Sequence, residues 1–201
     1  MALNPIVRVI QRGGLRWKYL PEVEIAADSF LDSFKEQLLS LVRPRWQPES
    51  VAAKIFEDGT TNKLVALYDA NMGGFVQSGK DVVLIRINGA GTEAYIDRDS
   101  ELLTFALLHK FGMSPPLYYQ LKNGLCYGFV PGKQLDVMDL QDECMMKRVV
   151  RAMVRLHLLE LPTHFKKREP VLWERMDKWL SMVPERFSNP QKQARYVPQQ
   201  S

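Results

Sequence analysis

Apolar residues recur along this chain with two periods, and the change of period divides it. Leu31, Phe34, Leu38 and Leu41 follow helical spacing over residues 28–42, with Asp28 or Ser29 available as a cap and Pro44 as the stop. Short runs rich in Val, Ile, Leu and Tyr then predict strands over 51–57, 63–69 and 82–87, separated by turn-rich stretches that contain Gly59, Gly73, Gly74 and Gly79. Residues 99–112 return to helical spacing, with acids at the start, Leu102, Phe105, Ala106 and His109 on one face, and Gly112 where a helix would end. Two further strands are expected within 115–121 and 124–130, after which a Pro-Gly pair breaks the pattern and helices follow over about 140–160 and 170–183. Successive hairpins carrying one inserted helix, with helices afterwards, predict an α+β fold built on an antiparallel sheet.

Composition narrows the class. The 201 residues carry 27 Lys plus Arg against 23 Asp plus Glu, a formal charge of +4, too small and too dispersed to argue for a nucleic-acid partner. Cys126 and Cys144 have neither metal-ligand spacing nor the density of a disulfide scaffold, which points to a reducing compartment, the cytoplasm. No apolar run approaches the roughly 20 residues needed to span a bilayer. Residues 1–22 hold Arg8, Arg12, Arg16 and Lys18 with only one acid, Glu22, and read as a loose basic tail, because Gly13 and Gly14 interrupt any amphipathic helix. Residues 186–201 are polar and read as disordered.

Two features carry candidate chemistry. The loop Gly59, Thr60, Thr61 and Asn62 is either a plain turn between strands or a ligand grip, since Asp-Gly hairpins are common on sheets that bind nothing. Arg86 lies in a strand that is apolar at both parities, so its guanidinium needs either a partner, for which Glu101 is the candidate, or a route to solvent along its own stem. A strand, a small-residue loop, two strands with an interior cation, and a helix with an early acid follow the order of a nucleotide-binding kinase lobe.

The segments DGTTNKLVALY, VVLIRINGAGTEAYIDRDSE, LLHKFGMSPPLYYQLKNGLCYGFVPG and RAMVRLHLLELP, taken together and in order, resemble the amino-terminal part of the choline/ethanolamine kinase family over residues 28–183. The resemblance implies a protein-kinase-like small lobe over 23–130, followed over 131–185 by the first helices of an incomplete helical lobe. It implies that Gly59, Thr60, Thr61 and Asn62 cover the ATP phosphates and that Arg86 contacts them with Glu101 as its helix partner. Tyr127, Gly128 and Phe129 would form the hinge against which adenine sits, chiefly through backbone groups. Family members usually carry an acid where Gly128 stands.

The family's phosphoryl transfer also implies Mg²⁺ and a later H-x-D-x-x-x-x-N segment. His109, His157 and His164 are the only histidines, and none is followed two residues later by aspartate. The resemblance therefore implies ATP-dependent phosphorylation of ethanolamine, a step of phosphatidylethanolamine synthesis, in a chain truncated before its catalytic residues and metal ligands and inactive alone. A noncatalytic binding or regulatory short form is the alternative, with self-association or pairing to a complete kinase expected from apolar helix faces.

Overall fold

The computed structural model describes residues 6–56, 61–160, 172–184 and 186–195. The chain divides into two compact units, residues 1–158 and 159–201.

Seven strands among the described residues of the first unit form one sheet: β1 (Arg8–Arg12), β2 (Leu15–Leu20), β3 (Val51–Phe56), β4 (Lys63–Asp69), β5 (Val83–Ile87), β6 (Leu117–Leu121) and β7 (Gly124–Gly128). Their spatial order is β1-β2-β6-β7-β5-β4-β3. Every neighbouring pair is antiparallel except β2 and β6, which run parallel, so the sheet is mixed rather than purely antiparallel.

That parallel pair corrects the reading of residues 1–22 as a loose tail. Gly13 and Gly14 both adopt positive φ, 57° and 72°, and make a two-residue hairpin turn rather than a helix break. Alternation then buries Leu15 and Trp17 while Arg16 and Lys18 stay exposed. Trp17 Nε1 donates to Gln120 Oε1 at 2.9 Å, tying the hairpin to β6.

The sheet has two differently covered faces, as its period of two requires. On the first, Val65, Leu67, Val83, Ile85, Ile87, Leu121 and Cys126 pack against Phe34, Leu38, Leu39 and Val42. The expected helix over 28–42 is broken near Leu38 into α1 (Phe30–Gln37) and α2 (Leu39–Val42), and ends at Arg43, which at φ −141° and ψ 69° has left the α region that a following proline disfavours. Cys126 is fully enclosed here, and burial pushes its thiol up to about 12.

The second face carries Ala66, Val82 and Leu84, packed by Phe56, Leu64, Tyr68, Phe75, Tyr127 and Phe129. The short helix α3 (Phe75–Ser78) lies in the β4–β5 connection. Asp97 caps α4 (Arg98–Lys110) by accepting from the Ser100 amide, and Gly112, at φ 68°, follows its end. Phe105 of α4 meets Tyr127 edge-on at 5.3 Å between ring centres.

Asp142 caps α5 (Glu143–His157), which leaves Val150, Met153 and Val154 about half exposed. In the second unit, α6 (Leu172–Ser181) exposes Trp173 and Leu180, and α7 (Pro190–Arg195) is helical where the sequence reading expected disorder. Residues 196–201 lie outside the described residues. No described helix is long and apolar enough to cross a membrane.

Candidate functional site

The second face also holds Arg86. Register places Leu64, Arg86 and Leu125 in one row across β4, β5 and β7, and α4 brings Glu101 to it. Arg86 Nη1 lies 2.7 Å from Glu101 Oε1, with the two side chains 18% and 28% exposed. Of the two readings for Arg86, the structure has the partnered one. Glu101 has a second cation: Arg98, one turn earlier on α4, donates to its Oε2 at 3.0 Å. Burial alone would raise the Glu101 pKa, but the hydrogen bonds and charges of Arg86 and Arg98 outweigh it and hold the carboxyl below its ordinary value.

Arg98 extends the pair toward the small-residue loop. Its guanidinium donates to the buried Thr92 hydroxyl, which donates in turn to the Gly89 carbonyl at 2.8 Å. The Gly89 amide donates to Asn62 Oδ1 at 3.3 Å. A Cβ at position 89 would stand 1.9 Å from the Thr61 carbonyl oxygen, so only glycine lets the loop end seat there. Gly124 plays the same part on the other side of β5, where a Cβ would stand 2.0 Å from the Arg86 carbonyl oxygen. One connected network thus runs from Asn62 to Arg86. Gly59 and Thr60 lie outside the described residues; Thr61 and Asn62 sit at the near end of their loop.

Arg86 is not saturated by Glu101. Its Nε and Nη2 are buried without a hydrogen-bond partner among the described residues, as are Arg98 Nε and Asn88 Oδ1. All three residues line a small pocket of about 110 Å³, with Glu93, Glu101 and Lys122 among its other walls. Buried donors left unmatched are costly, about 1–3 kcal/mol each, which makes an anion or water a favourable addition beside this guanidinium.

Tyr127, Gly128 and Phe129 follow from the far end of β7. Burial raises the Tyr127 pKa, keeping the phenol neutral. The Gly128 amide is already engaged, donating to the Pro116 carbonyl at 2.9 Å. A Cβ at 128 would come within 2.9 Å of Pro116 Cγ and Cδ and 3.2 Å of the Tyr118 hydroxyl, which explains the missing side chain. Backbone donation from this segment must therefore come from beyond Gly128.

Among the described residues no group of three or more His, Cys, Asp or Glu side chains converges as a metal site. The donors described do not fit a Mg²⁺ centre. Sequence reasoning singled out neither Arg98 nor Thr92 for a role, although both stand in the Thr-Glu-x-x-x-Asp-Arg string on which the resemblance rests. Their linkage to Gly89 appears only when the turn is folded.

This arrangement is a kinase-like small lobe in outline, and comparison gives it a family. The choline/ethanolamine kinase family profile matches residues 53–200, and the chain belongs to that family. It is 34% identical over 160 residues to human ethanolamine kinase 1, a match that covers 80% of this chain and 34% of the relative. It is 38% identical over 130 residues to Drosophila melanogaster ethanolamine kinase, covering 63% and 25%. The chain thus spans about a third of the relatives' length. Among solved structures, choline kinase from Cryptosporidium parvum has a TM-score of 0.57 at 19% identity, covering 78% of this chain and 42% of that one. A Plasmodium vivax ethanolamine kinase has 0.55 at 21%, covering 83% and 41%. These two likenesses bear on fold.

Proposed function

We propose that these residues form the ATP-binding lobe of an ethanolamine kinase, an enzyme in which the hydroxyl oxygen of ethanolamine attacks the γ-phosphorus of ATP and ADP departs. The observation that carries this reading is Arg86, fixed by Glu101 while two of its N–H positions have no partner among the described residues. In it, Thr61 and Asn62, with Gly59 and Thr60, close over the phosphates, and Arg86 offers a phosphate the planar two-point donor set that lysine lacks. Glu101 is the positioning residue, and Arg98, Thr92 and Gly89 transmit its geometry to the loop. Adenine sits toward Tyr127 and Phe129, with backbone donation from beyond Gly128. Ethanolamine is preferred to choline because the relatives named above are ethanolamine kinases. Residence in the cytoplasm and a place in phosphatidylethanolamine synthesis belong to the same reading.

Phosphoryl transfer needs a group to accept or orient the substrate hydroxyl proton and a divalent metal to hold the phosphates. The 201 residues contain no H-x-D segment. The lobe supplies nucleotide positioning, and no catalytic step is assigned to its own side chains. A second reading, a noncatalytic binding form that pairs with a complete kinase, is favoured by the half-exposed Val150, Met153 and Val154 of α5.

Calorimetric titration of the chain with ATP tests the first reading. Measurable binding that falls at least several-fold in Arg86→Ala supports it; equal binding by both forms makes Arg86 a structural arginine and removes the basis of the assignment.

A further inference from the structure

The β4–β5 connection carries an aromatic ring to the middle of the nucleotide face, and neither the resemblance nor the comparisons gives that ring a role. Register fixes the rows on this face. Phe56, Leu64, Arg86 and Leu125 make one row, and Lys54, Ala66, Leu84 and Tyr127 make the next, about 6–7 Å away along the strands. Phe75 stands over that second row. Its ring centre is 6.1 Å from Phe56, 5.9 Å from Tyr68 and 5.3 Å from Phe129, and the Lys54 ammonium lies 4.5 Å above it. The same ring packs on the buried cluster of Ala66, Val82 and Leu84.

A nucleotide whose phosphates meet Arg86 and whose base meets the segment after β7 must lay the base between Arg86 and Phe129. On this face that interval is the Ala66–Leu84 row, the place Phe75 occupies. A flat aromatic ring with an apolar floor and a cation above it is what a purine would also present to these neighbours. In that pose Phe75 and the base would share one position.

The mounting of Phe75 suits exchange. Gly73 at φ 88° and Gly74 at φ 116° precede it, and Gly79 at φ 52° follows, so each end of α3 turns on residues in the left-handed region. Within the segment, the Ser78 amide and hydroxyl both bond the Gly74 carbonyl, at 3.0 and 2.8 Å, which holds 74–78 as one small body. Val76 beside it is 80% exposed, so the turn has little anchoring on its outer side.

We propose that Phe75 is an internal occupant of the base site: it sets the chain's nucleotide affinity, and a nucleotide binds by displacing its ring. The proposal rests on the ATP reading above, and its test separates the two. ATP titrations of the unmodified chain, Phe75→Ala and Phe75→Trp are compared. Removing the occupant should tighten ATP binding at least fivefold in Phe75→Ala, and the larger ring of Phe75→Trp should weaken it. If Phe75→Ala binds ATP equally or more weakly, the ring is a supporting wall and the proposal is overturned while the ATP reading stands. If no form binds ATP at saturating concentration, both fall. Hydrogen exchange on the unmodified chain needs no variant: ATP should speed exchange of the amides over 75–79 while slowing Asn62. Slower or unchanged exchange over 75–79 overturns the displacement.

Discussion

The carbonyl oxygen of Thr61 rests on Gly89, 1.9 Å from the point where any other residue would carry its Cβ. The oxygen belongs to backbone and a Cβ is fixed by the backbone that carries it, so no rotamer change can relieve the conflict. Gly89→Ala should lower stability by about 1–3 kcal/mol, the range for overpacking a filled position. For a chain of this size that is several degrees of melting temperature. Loss of the loop seat should also weaken ATP binding several-fold. Gly132→Ala, where no described residue lies within 4 Å of the added carbon, is the matched control and should leave both unchanged.

The two partners of the central ion pair should not be equally sensitive. Because Glu101 also accepts from Arg98, Arg86→Ala still leaves the carboxylate with a cation. Glu101→Gln instead removes the carboxylate that pairs with both Arg86 and Arg98. Breaking a buried pair costs about 3–5 kcal/mol, and partial exposure moves this one to the lower end or beneath it. Urea unfolding should find Glu101→Gln the less stable variant, while ATP titration finds Arg86→Ala the weaker binder. Arg86→Lys, which keeps charge without the planar fork, should bind ATP between the parent and Arg86→Ala.

Acid should expose the same pair. The Glu101 pKa is lowered in the folded chain from an ordinary 4.5, so its contribution to stability is fully present above the unfolded value and is lost as pH falls through the folded one. The stability difference between the parent and Glu101→Gln should be constant from about pH 6 to pH 7 and shrink steadily below 4.5. A difference that grows on acidification would reverse the sign of the assignment.

No phosphoethanolamine should form when the 201-residue chain is incubated with ATP, Mg²⁺ and ethanolamine. Phosphorus NMR against a protein-free control reads this directly. Product that scales with protein and disappears in Arg86→Ala would mean that the lobe's own groups suffice for transfer.

Self-association should rise with concentration through α5, whose Val150, Met153 and Val154 stand about half exposed. Sedimentation velocity over a wide concentration range should find the parent associating and Val150→Glu/Met153→Glu shifted toward monomer.

How much of this the sequence disclosed depends on the distance over which each feature is specified. The strands at 51–56, 63–69 and 83–87 declared themselves because short apolar runs sit between glycine-rich turns. Arg86 stood out because a cation in a strand apolar at both parities demands an explanation. The hairpin over 8–20 was hidden, although Leu15 and Trp17 alternate with Arg16 and Lys18, because the basic composition dominated and the partner strand lies about a hundred residues away. Phe75 gave no signal at all: a single aromatic beside Gly73 and Gly74 looks like a loop residue until the sheet register sets it over Ala66.

The parallel pairing of β2 with β6, Tyr19 opposite Gln120, also makes the fold wait for itself. Synthesis proceeds at about 5–20 residues per second, so residues 15–20 are made roughly 5–20 seconds before 117–121. During that interval a strand with Leu15, Trp17 and Leu20 on offer has only β1 beside it, and a lone hairpin is at best marginally stable in water. The remaining strands, β3 to β7, can close through sequence-local hairpins and one inserted helix, and β2 then docks on a finished edge. The β1–β2 hairpin is thus made well before the strand it docks on and is among the last parts of the sheet that can lock, so the nascent chain carries an unpaired β2 edge through the elongation of the lobe.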